Sequence, residues 1–181
     1  MNPADANRLR NHIRSLNEEA VWSLLLEFFM HQDINAAKVH ATGEHGMDVV
    51  AFVDSGKDVL GKGYNVLIQA KKGRLGLDRW RKEVLYQLLE APYYDIPHAN
   101  YSDHLARRVL LIVTDTATPE AQDSIKLFNR KHDITVELWE LDDLIRRFDS
   151  TGFAKRKLEQ ITGVGQVTED VLIPPAVGES E

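Results

Sequence analysis

The chain has 181 residues, a formal net charge of −6 at pH 7 and no cysteine. This length suits one well-buried domain and is short for two, and the lack of cysteine excludes disulfides and thiolate metal sites. The negative charge argues against a generally basic nucleic-acid-binding protein, so any such binding must be local. No apolar run is long enough to span a bilayer and no signal-peptide pattern opens the chain; we therefore expect a cytoplasmic protein with no membrane contact.

Two helices are predicted at the start of the chain. Leu9, Ile13 and Leu16 recur at helical spacing, which predicts an initial helix or, as an equal alternative, a partly frayed terminus. Ser15, with Glu18 three residues later, has the pattern of a capping box that opens a second helix, NEEAVWSLLLEFFMH. Apolar residues cover so much of this second helix that we expect it to be largely buried.

Three strands are predicted next. Asn35–Ala41 is a short strand candidate, and Met47–Val53 and Tyr64–Ala70 are apolar runs that form a hairpin. The polar, glycine-containing residues between the two runs supply the turn.

Polar side chains gather at one end of this predicted hairpin. Because side chains alternate across a strand, Gln69 and Lys71 project to the same face. A hairpin paired symmetrically about its loop places Asp48 opposite Ala70, at the same end. An acid, an amide and an amine in an otherwise apolar hairpin are costly unless charge is needed there, and we interpret the cluster as a metal-dependent nuclease site.

The ordered pattern resembles a known nuclease signature. Gly-x-x-Gly-x-Asp, about twenty residues, and then an apolar strand ending in Gln-x-Lys resemble the active site of the PD-(D/E)xK nuclease superfamily, and the Gln-x-Lys form resembles its Mrr-like restriction endonuclease branch. RVLLIVTDTATPEAQDSIKLF, which begins at Arg108, resembles the family's later strand, threonine-rich turn and helix. ITVELWELDDLIRRF resembles its last strand and closing helix, so the resemblance covers Leu16 to Phe148.

The order of the predicted helices and strands gives an α/β sandwich around a mixed sheet. The resemblance implies a restriction-endonuclease-like α/β/α sandwich around a mixed five-stranded sheet. We divide the chain into an N-terminal helical extension (1–15), a PD-(D/E)xK nuclease-like domain (16–148) and a C-terminal basic helix and tail (149–181).

The resemblance also implies roles for the site residues. Asp48 would be the main ligand of Mg²⁺, with Mn²⁺ as a substitute, and Ala70 would contribute its backbone carbonyl. Lys71 would hold or help to deprotonate the attacking water. In the family a glutamate of the second helix faces the metal: Glu19 is the better match and Glu18 stays open, while both can also simply complement the helix dipole.

Gln69 departs from the wider superfamily, which usually has a carboxylate at this position. Its amide oxygen can face a metal ion and its NH₂ group can bind a phosphate oxygen or water, so we count it among the metal ligands and catalytic residues and expect weak metal affinity. The Mrr-like branch carries this glutamine routinely. Glu44 and His45, which precede Asp48, either touch metal or substrate or belong to a solvated turn.

A basic stretch follows the predicted site. Apolar residues at helical spacing from Leu77 predict a helix that ends near Pro92. Between Lys71 and Lys82 the chain has six basic residues and a single acid, Asp78. This stretch indicates either a rim for a phosphate backbone or a solvated helix face; the candidate nucleic-acid-binding residues are Lys72, Arg74, Arg79 and Lys82.

The remaining elements are predicted with local signals. A polar loop at Asp95–His104 has the length of a substrate flap or a spacer. The continuous apolar run Val109–Val113 predicts a strand buried on both faces, and Thr118 and Pro119 cap and open a helix. Further predictions are a strand at Ile134–Trp139, a helix at Leu141–Phe148, a basic helical piece at Lys155–Leu158 and a tail with one strand at Val167–Ile173.

The function expected from these residues and from the resemblance is Mg²⁺-dependent DNA cleavage, which the resemblance places in defence against foreign or modified DNA. A junction-resolving or repair nuclease has an equally good site, and a non-catalytic nucleic-acid-binding module on the same fold is the alternative from another class. DNA is the expected partner. A homodimer and a separate recognition or defence-system subunit are further partners that stay open.

Overall fold

The computed structural model describes residues 1–38, 49–53, 64–90 and 108–163. Several predictions concern residues outside these ranges: the turn with Glu44, His45 and Asp48, the loop at 95–104 and the strand at 167–173. Within the described ranges the strands are β1 (Asn35–Lys38), β2 (Val49–Val53), β3 (Tyr64–Lys71), β4 (Arg108–Val113) and β5 (Thr135–Trp139). The helices are α1 (Pro3–Ser15), α2 (Glu18–His31), α3 (Leu77–Arg79), α4 (Leu85–Glu90), α5 (Pro119–Lys131), α6 (Leu141–Ser150) and α7 (Phe153–Thr162), with a π-helical segment (Trp80–Val84) between α3 and α4.

The five strands form one mixed sheet in the order β1-β2-β3-β4-β5. β1, β2 and β3 pair antiparallel, and β3, β4 and β5 pair parallel. The mixed five-stranded sheet predicted from the sequence is confirmed. Because β3, β4 and β5 run in the same direction, their carboxyl ends lie along one edge of the sheet.

The register of the central hairpin differs from the prediction. Asp48 opposite Ala70 requires Val49 opposite Gln69, whereas Val49 pairs with Ile68. The last residue of β2, Val53, pairs with the first residue of β3, Tyr64. A shift by one residue reverses the face to which a strand's side chains point, so this correction changes which residues of β2 and β3 share a face.

Helices cover both faces of the sheet. On one face, α1, α2, α6 and α7 share an apolar cluster with alternate residues of β3 and β4, including Ile68, Ala70, Leu110 and Ile112. On the other face, α5 and the helical segment 77–90 pack against the intervening residues Leu67, Val109, Leu111 and Val113. The predicted α/β/α sandwich is therefore confirmed, as is the burial of β4 on both faces.

The first two helices meet at a different residue from the one predicted. α1 is an ordered helix that extends through Ser15, whose hydroxyl donates to the His12 carbonyl at 2.7 Å. Asn17 caps α2 by accepting a hydrogen bond from the Ala20 N–H at 2.8 Å. The predicted capping box with Ser15 as its first residue is wrong, because Leu16 ends α1 and Asn17, a good N-cap residue, stands directly before α2.

The predicted helix after β3 contains a π-helical segment that its apolar spacing does not reveal. Trp80, Val84 and Leu88 are at most 2% exposed, as predicted. The Leu85 N–H, however, donates to the Trp80 carbonyl five residues earlier, so the segment Trp80–Val84 is wound more widely than an α-helix. By contrast, Thr118 and Pro119 start α5 as predicted, with the Thr118 side chain accepting from the Ala121 N–H.

Both α1 and α7 contribute to the main core. Leu9 and Ile13 of α1 are fully buried, and Phe153 and Ala154 of α7 are at most 2% exposed. They belong to the same cluster as the apolar face of α2. No helix in the described part of the chain has the length and apolar character needed to cross a membrane.

Candidate active site

A buried threonine fixes the chain at the carboxyl end of β3. Lys71, the last residue of β3, pairs with Val113, and its carbonyl accepts from the Thr114 N–H at 3.1 Å. The Thr114 hydroxyl accepts from the Gly73 N–H at 2.8 Å, and Thr114 is 1% exposed. Gly73 has φ = +79°, a conformation that favours glycine. Thr114 therefore holds the residues directly after Lys71. The sequence offered no signal for this role of Thr114 except its place after a buried parallel strand.

The predicted site residues of β3 divide between the two faces of the sheet. Gln69 is fully buried and Lys71 is half-buried. Because side chains alternate along a strand, these two share the face that carries Leu67, whereas Ala70 lies in the opposite core with Ile68. The common face of Gln69 and Lys71 predicted from the sequence is thus confirmed.

Gln69 contacts a residue that sequence reasoning missed. The Gln69 amide nitrogen donates to the side-chain oxygen of Gln87 on α4. The two residues are 18 positions apart, and nothing local in either segment indicates that they meet.

Arg79 connects the start of α2 to the end of β3. Its guanidinium lies 3.9 Å from a Glu18 carboxylate oxygen, donates to Glu83 at 2.9 Å and donates to the Lys72 carbonyl. Arg79 therefore contacts both Lys72, the residue that follows Lys71, and the first turn of α2, which holds the candidate ligands Glu18 and Glu19. Both glutamates are exposed.

The oxygen donors near this edge suit a hard divalent cation. Glu18, Glu19 and the Gln69 amide offer carboxylate and carbonyl oxygens, which Mg²⁺ and Mn²⁺ prefer. Within the residues that the structure describes, no three histidine or acidic side chains gather as a metal-binding group. The predicted main ligand, Asp48, lies outside those residues, so the described donors would supply only part of a coordination shell.

The candidate phosphate-binding residues differ in their surroundings. Lys72, Arg74 and Lys82 are exposed, whereas the Arg79 side chain is 27% exposed and paired with two glutamates. Arg74 lies near the first turn of α5: the Glu120 carboxyl has a lowered pKa because of its backbone N–H, the Thr118 hydroxyl and the Arg74 charge, in that order. Exposed cations therefore flank the end of β3, and Arg79 has a structural role in addition to its charge.

Comparison with known proteins gives a family match and similar solved structures. The Mrr catalytic-domain family model, described as restriction endonuclease, matches residues 13–148. None of the curated proteins matches the chain. The DNA modification-dependent restriction endonuclease AspBHI has a similar fold, with a TM-score of 0.56 and 10% identity over 91% of this chain and 41% of AspBHI. The MspJI restriction endonuclease, solved with a 27-mer oligonucleotide, has a TM-score of 0.48 and 12% identity over 88% of this chain and 35% of MspJI. The chain thus spans less than half the length of either enzyme.

Proposed function

Because the chain belongs to the Mrr restriction endonuclease family, we propose that it is a metal-dependent endonuclease that hydrolyses DNA phosphodiester bonds in defence against foreign or modified DNA. The observation that carries the proposal is the end of β3. There Gln69 and Lys71 share one face of the strand, and Arg79 contacts both the Lys72 carbonyl and Glu18 in the first turn of α2.

Phosphodiester hydrolysis defines what the site must supply. The diester and hydroxide are both anionic and repel each other, and the expelled alkoxide is a poor leaving group. A divalent cation, Mg²⁺ or Mn²⁺, lowers the pKa of a bound water and neutralises charge on the phosphate. We propose that Asp48, Gln69, the Ala70 carbonyl and Glu19 hold this ion.

Lys71 is the proposed proton-handling and charge-stabilising residue. Its ammonium group would orient the attacking water and offset charge that develops on the phosphate. Its backbone is held by Thr114, so the lysine projects from a fixed point. The register supports our proposal that Asp48 acts with Lys71, because Val49, which follows Asp48 in the sequence, pairs with Ile68, which precedes Gln69.

The alternatives from the sequence share parts of this site. A junction-resolving or repair nuclease would use the same residues. A non-catalytic nucleic-acid-binding module would need neither metal nor Lys71. Cleavage assays with Mg²⁺, Mn²⁺ or EDTA separate the nucleases from the binding module. The mass of the complex on DNA tests for a homodimer and for a separate recognition or defence-system subunit.

Gln69→Glu is expected to tighten Mn²⁺ binding, because it replaces a neutral amide oxygen by a charged carboxylate oxygen. Isothermal titration without DNA measures the effect. The matched control is Gln160→Glu on the exposed surface of α7, which adds the same charge elsewhere. Equal affinities for the two variants would mean that position 69 does not face the ion.

Lys72→Ala with Lys82→Ala is expected to weaken DNA binding similarly for all sequences. Phosphate contacts give affinity without sequence information, and losing two of them should flatten the dependence of log K on log salt by about two units. Arg79→Ala should change this slope less, because Glu18 and Glu83 already balance the Arg79 charge. The measurement is fluorescence anisotropy of a labelled duplex in Ca²⁺ at several salt concentrations.

The control for this experiment removes two charges at the opposite edge of the sheet. Arg130 and Lys131 are exposed at the end of α5, just before the start of β5. β5 is linked to β3 through two parallel pairings, so its start lies away from the end of β3. The double variant Arg130→Ala and Lys131→Ala should keep the wild-type slope; a larger change there than at Lys72 and Lys82 would place the DNA on another surface.

A further inference from the structure

The contact between Gln69 and Gln87 lies in an apolar layer. Leu67 and Leu111 of the sheet and Val84 and Leu88 of the helical segment are all fully buried in the cluster on this face. An amide in such surroundings is costly unless it forms hydrogen bonds. Gln87 supplies an acceptor for the fully buried Gln69 side chain, so the pair is more than a chance surface contact.

The π-helical segment helps to set the direction of Gln87. Successive residues of an α-helix are about 100° apart around its axis, so the extra residue in a wide turn rotates everything that follows. Before this segment, Arg79 reaches the Lys72 carbonyl. After it, Gln87 reaches Gln69. The helical segment 77–90 thus makes two contacts at this end of β3. Gln87 contacts Gln69, and Arg79 contacts the carbonyl of Lys72, the residue after β3.

The contact has a consequence for the direction of the Gln69 amide. A glutamine side chain has a donor end and an acceptor end, and only the acceptor end can ligate a cation. Gln69 points its NH₂ group to the Gln87 oxygen. If the Gln69 amide were reversed, its oxygen would face the Gln87 oxygen unless the Gln87 amide also turned. An acceptor at position 87 therefore favours the orientation in which the Gln69 oxygen points away from Gln87.

We infer that Gln87 is a positioning residue that holds the Gln69 amide with its oxygen toward the metal ion. This inference rests on the proposed function, since it gives Gln69 a metal to face. Gln87 does not touch substrate or metal in this account and acts only through Gln69. Partners that orient metal ligands in this way commonly change metal affinity or activity by about 10- to 100-fold when they are removed.

Two substitutions of Gln87 separate orientation from packing. Gln87→Met keeps the length of the side chain and removes the acceptor, whereas Gln87→Glu keeps an acceptor for the Gln69 NH₂ group. We expect Gln87→Met to weaken Mn²⁺ binding about tenfold or more in titrations without DNA. Gln87→Glu should bind Mn²⁺ at least as tightly as the wild type, and thermal unfolding checks that both variants are folded.

A double-mutant cycle tests whether Gln87 acts through Gln69. In a Gln69→Met background, adding Gln87→Met should cause no further loss of Mn²⁺ affinity or of kcat for DNA cleavage. An equal loss in both backgrounds would overturn the inference, because Gln87 would then act independently of Gln69.

The remaining outcomes distinguish this inference from the proposed function. A wild-type protein that binds Mn²⁺ and cleaves DNA, together with a Gln87→Met variant that does both equally well, would overturn the inference alone. A wild-type protein that neither binds Mn²⁺ nor cleaves DNA would overturn the proposed function and the role of Gln87 with it.

Discussion

Asp48→Ala and Lys71→Ala are each expected to slow Mg²⁺-dependent DNA cleavage by about 100-fold or more. Removing one electrostatic stabiliser of a developing charge commonly has an effect of this size. In the proposed site Asp48 is the main metal ligand and Lys71 orients the attacking water. Initial rates of supercoiled plasmid cleavage at saturating protein measure the change.

The controls for this pair remove the same kinds of charge from the surface of α5. Asp123 and Lys131 are exposed helix residues, and their replacement by alanine should leave the cleavage rate within about twofold, because surface substitutions rarely disturb a fold. Near-wild-type cleavage by a purified, folded Asp48→Ala protein would refute the assignment of that residue.

Phe148→Ala is expected to lower the free energy of unfolding by about 3–5 kcal/mol. Phe148 is fully buried at the junction of α2, α6 and α7, with its ring centroid 4.8 Å from that of Phe28 and 4.7 Å from that of Phe153. Whole domains are stable by only about 5–15 kcal/mol, so the loss of stability should lower the urea concentration at the midpoint of unfolding. Equilibrium unfolding followed by circular dichroism measures it.

Leu127→Ala is the matched apolar control for this measurement. Leu127 lies on α5 and is 47% exposed, so its truncation should change the unfolding free energy by only about 0.5 kcal/mol. If Phe148→Ala destabilised the protein no more than Leu127→Ala, the core shared by α1, α2, α6 and α7 would be contradicted.

The sequence predicted the fold where local signals and burial agree. β4 is a continuous apolar run because helices cover both of its faces, and Thr118 with Pro119 marks the start of α5 without a competing candidate. At the start of α2, two good caps stand two residues apart. The sequence does not show how far α1 extends, so the predicted cap at Ser15 lies two residues before the observed cap at Asn17.

Features set by long-range contacts were harder to predict. A one-residue difference in hairpin register leaves the same apolar pattern in each strand, so the sequence could not decide between Ile68 and Gln69 as the partner of Val49. Likewise, the four-residue spacing of Trp80, Val84 and Leu88 fits an α-helix and a π-helical segment equally well.

The candidate site shows the same division. The shared face of Gln69 and Lys71 follows from strand alternation alone. Thr114 and Gln87 contact the end of β3 from elements that are 18 or more residues away along the chain, and no spacing rule connects them to it. The pairing of Arg79 with Glu18 likewise depends on how α2 lies against the sheet.

The most direct test of the account is cleavage of plasmid DNA by the wild-type protein in Mg²⁺, Mn²⁺ or EDTA, on modified and unmodified substrates. A Lys71→Ala protein purified in the same way controls for contaminating nucleases. We expect nicked or linear product with either metal on at least one substrate, none in EDTA, and about 100-fold less product with the variant. No product from any substrate with either metal, or wild-type product that persists in EDTA or with Lys71→Ala, would contradict it.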